Sequence, residues 1–325
     1  MWATRPANSF DPAKFGRPLS TPDKPRRDAA DRESSADESL VPKLSEFPAP
    51  VWPQGEPRIA GATHIGRVRR VNQDAFGRFD DGDRCEILVL VADGLGGHRG
   101  GEVASRIAID SIGEQIFSGD GDPATRLLQA ITSANESILR ASRKDRTLDG
   151  MGTTIVGLLL TENGPSYVGH VGDSRLYRIR AGLIEPVTQD HSLVATLVQE
   201  GALTPEQAHT DPRRNQILRA LGVRDNVEIE IAPIDIMPGD TYLLCSDGLH
   251  GMLEDDAIQK ITSHGQRLES IVESLIDSAN DAGGTDNVTV MLAQIPDPMQ
   301  SRGLRGAANQ LIESTRSAFA RRDDK

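Results

Sequence analysis

Apolar positions in this chain gather into short runs closed by turn residues, with stretches of helical spacing between them. The run Thr153 to Leu160 is almost unbroken and predicts a buried strand, and Leu88–Ala92, Asp240–Ser246 and Asn287–Ile295 predict three more. Ile59 to Val68 predicts an earlier strand. Asp80-Asp81-Gly82-Asp83 predicts a hairpin turn, with Asp-Gly supplying a positive φ; the spacing of its acids lacks the alternation of a calcium loop. Ser166–Gly172 and Leu176–Arg180 suggest two arms of a hairpin folded at Asp173-Ser174-Arg175. Val103, Ile107, Ile109 and Ile112 share one face of a helix opened by Glu102. A second helix spans about 124–141, with Leu127, Leu128, Ile131 and Ile138 inward, and others lie near 254–262 and 266–282. Between Thr188 and Gly222 the pattern shifts to short helical pieces, Leu193-Val194-Leu197-Val198 and one opened by Thr204-Pro205-Glu206, as expected of a lid or flap. Paired strands with two pairs of helices indicate an α+β sheet sandwich faced by helices.

Composition marks where this pattern stops. Residues 1–57 hold 10 of the 19 prolines, which deny the stretch regular hydrogen bonding, so a disordered arm is expected there. The ordered body is expected over 58–296. The last residues, 297–325, carry a narrow apolar stripe (Leu304, Ala308, Leu311, Ile312, Thr315, Phe319), read as a docking helix or frayed tail rather than a membrane-surface helix.

Charge narrows the function classes. Residues 58–296 have 22 basic against 35 acidic side chains, a poor surface for nucleic acid and a good one for cations. Cys85 and Cys245 sit in or beside apolar runs and are expected as buried, reduced thiols. No stretch is long and apolar enough for a membrane helix, and no secretory leader is evident, so a cytoplasmic protein is expected.

Four aspartates terminate or open apolar runs: Asp93, Asp173, Asp247 and Asp286. Carboxylates at the mouths of buried strands are costly unless something positive meets them, and hard divalent cations prefer several oxygens. A shared metal site is therefore the first hypothesis. Asp93-Gly94 leads into a glycine loop and a helix, which also suggests dinucleotide binding. That reading fails because Arg99 occupies the final glycine position and Asp93 would repel a pyrophosphate. In Asp93-Gly94 the glycine, lacking Cβ, lets its carbonyl turn toward the carboxylate's target, and Asp247-Gly248 repeats the Asp-Gly construction. Upstream, Arg69 near Asp74 offers a bidentate clamp for phosphate.

The ordered set Arg69-x-x-Asn72-Gln73-Asp74, Val91-Ala92-Asp93-Gly94-Leu95-Gly96-Gly97-His98, Gly150-Met151-Gly152-Thr153-Thr154, Gly172-Asp173-Ser174-Arg175, Ser246-Asp247-Gly248 and Thr285-Asp286-Asn287 closely resembles bacterial PP2C-type (PPM) serine/threonine protein phosphatases over about 60–295. The resemblance implies a four-layer αββα sandwich of two antiparallel sheets flanked by helix pairs, with a helical flap at about 188–222. It implies two Mn²⁺ or Mg²⁺ ions: Asp93 bridging both, Asp247 and Asp286 completing the first, and the Gly94 carbonyl serving the second. Asp74 would hold metal-bound waters, Arg69 the substrate phosphate, and Asp173 a third, weaker metal. Water activated between the metals would hydrolyse phosphoserine or phosphothreonine directly, without a phosphoenzyme; neither cysteine lies in a Cys-x5-Arg loop. The implied partners are phosphorylated proteins and a bacterial Ser/Thr kinase that the enzyme opposes, with the protein itself a monomer.

Two positions depart from the family pattern. Gln73 replaces a frequent glutamate, so a contact to the second metal becomes neutral. Leu95 stands where eukaryotic members carry a general-acid histidine, and His98 reads as bracing the loop. Two competing readings share the site: a non-enzymatic phosphoprotein-binding module and a hydrolase of small phosphate esters.

Overall fold

The computed structural model describes residues 55–96, 100–263 and 266–297, together with the two-residue strand Asn8–Ser9. The remainder of the expected arm, the tail from 298 onward and His98 lie outside the described residues. In chain order, strands β1 (Asn8–Ser9), β2 (Arg58–His64), β3 (Ala75–Asp81), β4 (Glu86–Ala92) and β5 (Gly94–Leu95) precede helices α1 (Gly100–Ile116) and α2 (Pro123–Lys144). Strands β6 (Gly152–Thr153), β7 (Ile155–Thr161), β8 (Ser166–Val171), β9 (Arg175–Arg180) and β10 (Leu183–Pro186) follow. Next come α3 (Leu193–Gln199), α4 (Pro205–Thr210), β11 (Glu230–Ile234) and β12 (Thr241–Cys245), then α5 (Asp247–His250), α6 (Asp255–Thr262), α7 (Leu268–Asp281) and β13 (Val288–Gln294).

Two antiparallel sheets form the centre, in the orders β1-β2-β13-β12-β9-β10 and β11-β8-β7-β4-β3, and β5 pairs with β6 in a small ribbon. The apolar runs are unbroken because both faces of these strands are buried. On β4, Val89 and Val91 point to the other sheet and meet Leu244, Met291 and Ala293. The alternate residues Leu88, Leu90 and Ala92 pack on α1 and α2 through Ala108, Ile112, Leu127 and Ile131. The first sheet repeats the device: Leu243, Val290 and Leu292 face Ile271, Val272, Leu275 and Ile276 of α7. Helix pair, sheet, sheet and helix layer give the four-layer α+β sandwich.

Local chemistry sets several boundaries. Pro123 starts α2 and the Asp122 side chain caps it, accepting from the Ala124 and Thr125 N–H groups. Strand β2 ends at His64, short of the expected Val68, because Gly66 turns the chain at φ +82° and Asn287 Nδ2 donates to the Ile65 and Val71 carbonyls. The hairpin after Asp81 is a turn as expected, but its positive φ falls at Cys85 (φ 53°) and not at Gly82. Leu128 is 42% exposed, at the edge of the α2 stripe rather than inward.

The largest correction concerns β8 and β9, which do not form a hairpin. β8 pairs with β7 and β11 in one sheet, and β9 with β12 and β10 in the other, so residues 172–174 carry the chain across the sandwich. Gly172 at φ +113° makes that step. β10 and β11 were not legible: one is four exposed or half-buried residues, and the other contains Pro233 on a sheet edge. Both cysteines are free, Cys245 buried and Cys85 half-buried. No described helix is long and apolar enough to cross a membrane.

Candidate metal centre

Strand register brings the predicted residues to one end of the sandwich. His64 lies opposite Val288, Cys245 opposite both Val290 and Arg175, Ile155 opposite Val171, and Ala92 opposite Ala75. The ends of β2, β12, β8 and β4 therefore adjoin the starts of β13, β9, β7 and β3. Those junctions carry Arg69, Asp74, Asp93, Gly94, Asp173, Asp247 and Asp286.

Asp93 is fixed through its backbone. Its N–H donates to Thr154 Oγ1 (2.9 Å), and its carbonyl accepts from Thr154 N–H (2.9 Å) and Thr153 Oγ1 (2.8 Å), which leaves the carboxylate to face inward. The next residue, Gly94, pairs with Thr153; a Cβ there would stand 2.2 Å from the Gly101 carbonyl and 2.5 Å from that of Gln73. The glycine thus serves close packing against the start of α1, and Gly248 does the same against the Asn287 carbonyl (1.9 Å).

Asp74 Oδ2 accepts from Ser246 Oγ (2.7 Å) and Thr289 Oγ1 (2.6 Å), and Thr289 is hydrogen-bonded in turn to Thr63 (2.7 Å). Asp286 accepts from Asn287 N–H (2.8 Å) and from Arg69 Nη2 (2.7 Å), so Arg69 is an ion-pair partner inside the cluster and not a free clamp. Gln73 donates its side-chain amide to the Gly96 carbonyl (3.3 Å), bracing the glycine loop by a bond that a glutamate carboxylate cannot donate.

Crowded and desolvated, the carboxyls of Asp74, Asp93, Asp173 and Asp247 hold their protons above the usual aspartate range. Burial, with Asp247 and Asp286 nearby, pushes Asp74 up to about 7, against the lowering effect of its two hydroxyl donors. Burial and the charge of Asp286 raise Asp247 to about 6, while burial with Asp247 and Asp190 raises Asp173 to about 8. Asp93 rises well above its ordinary value through burial and then the charges of Asp74, Asp247, Asp173 and Asp286. Three oxygens of the cluster, Oδ1 of Asp74, Asp173 and Asp247, are buried without a hydrogen-bond partner among the described residues. Orphaned carboxylate oxygens in an array that repels its own charge fit oxygen-seeking divalent cations.

Sequence reasoning missed the residues behind this array. His250 Nε2 bonds the Asp173 carbonyl (2.9 Å), and burial first, then Arg175, drops its pKa to about 3. His191 anchors the flap: its Nδ1 accepts from Gly172 N–H (3.1 Å) and its backbone N–H donates to the Gly172 carbonyl (2.8 Å). Its pKa falls to about 4 through burial and then the charges of His170 and Arg219. His170, His191 and Glu230 bring ligand-type atoms within 4.8 Å of one another. With His191 Nδ1 occupied by Gly172, its Nε2 carries the proton toward Glu230, and the Arg219 guanidinium, 3.1 Å away, already supplies the positive charge. The trio ties the flap to β8. A cavity of about 470 Å³ between the flap and α5–α6 opens on Asp173 and Asp247, walled by Val194, Val198, Arg214 and Leu253.

Comparison with known proteins gives the family. The Protein phosphatase 2C family profile matches residues 60–293. The chain belongs to the protein phosphatase 2C family. Serine/threonine phosphatase stp of Listeria monocytogenes is 36% identical over 242 residues, covering 71% of this chain and 93% of that protein. The crystal structure of the Mycobacterium tuberculosis serine/threonine phosphatase PstP/Ppp superposes with a TM-score of 0.68 at 36% identity, covering 74% of this chain and 99% of the other. The catalytic domain of PstP in complex with two manganese ions gives 0.65 at 35% identity, with 74% and 99% covered. Full-length PstP is matched over 45% of its length.

Proposed function

We propose that this PP2C-family protein is a metal-dependent phosphatase that removes phosphate from phosphoserine and phosphothreonine in proteins, opposing a Ser/Thr kinase. The observation that carries the proposal is the convergence of five aspartates at one end of the sandwich, three of them with orphaned buried oxygens, beside one arginine. The relatives named as serine/threonine phosphatases, and the manganese in one of their structures, support the same chemistry.

Asp93, Asp247 and Asp286, with the Gly94 carbonyl, are the residues that would hold two Mn²⁺ or Mg²⁺ ions, and Asp173 a third. Bound there, the ions would supply Lewis acidity, lowering the pKa of water toward neutrality and neutralising phosphoryl oxygens. Asp74 has one oxygen saturated by Ser246 and Thr289, so its Oδ1 is the atom free to accept a proton-bearing donor such as the attacking water. Arg69 spends Nη2 on Asp286 and keeps other guanidinium donors to fork a phosphate. His191 and His250, with lowered pKa values, are neutral at pH 7 and braced against backbone, so solvent would protonate the leaving alkoxide.

The purified protein should hydrolyse p-nitrophenyl phosphate with Mn²⁺, stop on chelation, and lose activity in Asp93→Ala and Asp247→Ala. Absence of turnover with every divalent metal would overturn the proposal.

A further inference from the structure

The loop Arg67–Val71 is exposed along five successive residues, and Val68 and Val71 are 64% and 40% exposed. It holds three of the 22 basic residues in a stretch that carries 35 acidic ones, so it is a positive patch on an acidic body. Its backbone is nevertheless pinned. Arg67 N–H donates to the Gly284 carbonyl (2.7 Å), Asn287 Nδ2 holds the Val71 carbonyl (3.0 Å), and Arg69 bonds Asp286 (2.7 Å). A frame fixed to the metal-centre segment 284–287 thus presents two arginines and two valines to solvent, and little ordering entropy remains to be lost on binding. The Arg67 guanidinium pairs with Asp281 at 3.2 Å, and both side chains are open to solvent, 60% and 78% exposed; such a pair exchanges readily with another anion. Arg70 has no carboxylate partner among the described residues.

From this arrangement, and resting on the phosphatase reading above, we infer that Arg67–Val71 is a docking lip for phosphoprotein segments with acidic residues beside the phosphorylated one. Arg69 lies in the middle of the loop, so a phosphate it holds has Arg67 and Arg70 to either side. An extended segment advances about 3.3 Å per residue, which brings positions two or three away from the phosphate over the lip. Val68 and Val71 cover the aliphatic part of those side chains. The flap-side cavity is acidic on balance, with Asp173, Asp190, Asp247, Glu254 and Asp255 against Arg175 and Arg214, so the preference for acid is confined to one flank.

The test uses the full chain with Mn²⁺ and phosphothreonine peptides of equal length. Either flank carries aspartate or lysine, and p-nitrophenyl phosphate serves as a substrate too small to reach the lip. Two exposed arginines predict a kcat/KM about tenfold higher for one aspartate-flanked peptide than for its lysine counterpart, weakening with salt. The Arg67→Glu/Arg70→Glu variant should abolish or invert that ratio, Arg67→Gln/Arg70→Gln should flatten it, and neither should change turnover of the small ester. Equal rates on all peptides, or a loss on p-nitrophenyl phosphate as large as that on peptide, overturn the lip while leaving the phosphatase. No turnover of the small ester removes the phosphatase reading and the lip with it. Salt-sensitive dimerisation abolished by the Glu variant would give the surface to a second copy of the chain and likewise overturn the inference.

Discussion

Asp74 meets two hydroxyls that lie 172 and 215 residues further along the chain, on Ser246 and Thr289. Its place in Asn72-Gln73-Asp74 marks it as a site residue, yet nothing local names those donors, because they arrive through the register of β13 against β2 and β12. They decide which of its oxygens is free. In Ser246→Ala/Thr289→Val the carboxylate is released to rotate, and kcat on p-nitrophenyl phosphate at saturating Mn²⁺ should fall about 10–100-fold, the usual cost of losing support behind a metal site. KM should change far less. Steady-state kinetics check this, and an unchanged kcat would remove the hydroxyl pair from the mechanism. The same locality explains Arg69. Its proximity to the acids was legible, while its bond to Asp286 depends on the turn at Gly66 and the grip of Asn287 on the loop.

Among the elements, legibility followed burial. Strands β4, β7, β12 and β13, together with α6 and α7, were readable because two-sided burial makes long apolar runs and one-sided burial makes helical stripes. Edge strands β10 and β11 gave no such signal. The supposed β8–β9 hairpin shows the limit of pattern alone: two apolar arms around a short polar link look the same whether they pair with each other or cross between sheets. One contact between elements has no pattern signature at all. Arg126 of α2, with a side chain 2% exposed, reaches Glu86 at the start of β4 and also donates to the Ile116 carbonyl at the end of α1 (3.0 Å). Arg126→Met strands a buried carboxylate and should cost about 3–5 kcal/mol of stability by urea unfolding. Adding Glu86→Leu should recover much of that loss, because replacing a whole buried pair with apolar volume is far cheaper than breaking it. A single-variant loss under about 1 kcal/mol would show that the pair is well hydrated.

For the whole molecule the consequence of the site is a stability that depends on pH and cations together. Without metal, Asp74, Asp173 and Asp247 release their protons at about 7, 8 and 6 in the folded chain, against 3.8 as the ordinary value. Below about pH 4 folded and unfolded chains are both protonated, and nothing is lost. Between about pH 4 and 8 the folded chain keeps protons that the unfolded chain has given up, so stability falls as pH rises through that window. Divalent cations held by the cluster would replace those protons and bind more strongly as the carboxyls ionise. Thermal melts of the full chain should therefore show a gap between Mn²⁺-loaded and chelated protein that is small at pH 5 and widens steadily to pH 8, chiefly through a falling Tm of the chelated form. Comparing the gap at each pH cancels titrations elsewhere in the chain. In Asp173→Asn the widening should be reduced but not abolished, since Asp74, Asp93 and Asp247 still hold raised pKa values. A gap independent of pH would mean that the carboxyl cluster is hydrated and ionised without metal, and that its burial is not what selects for cations.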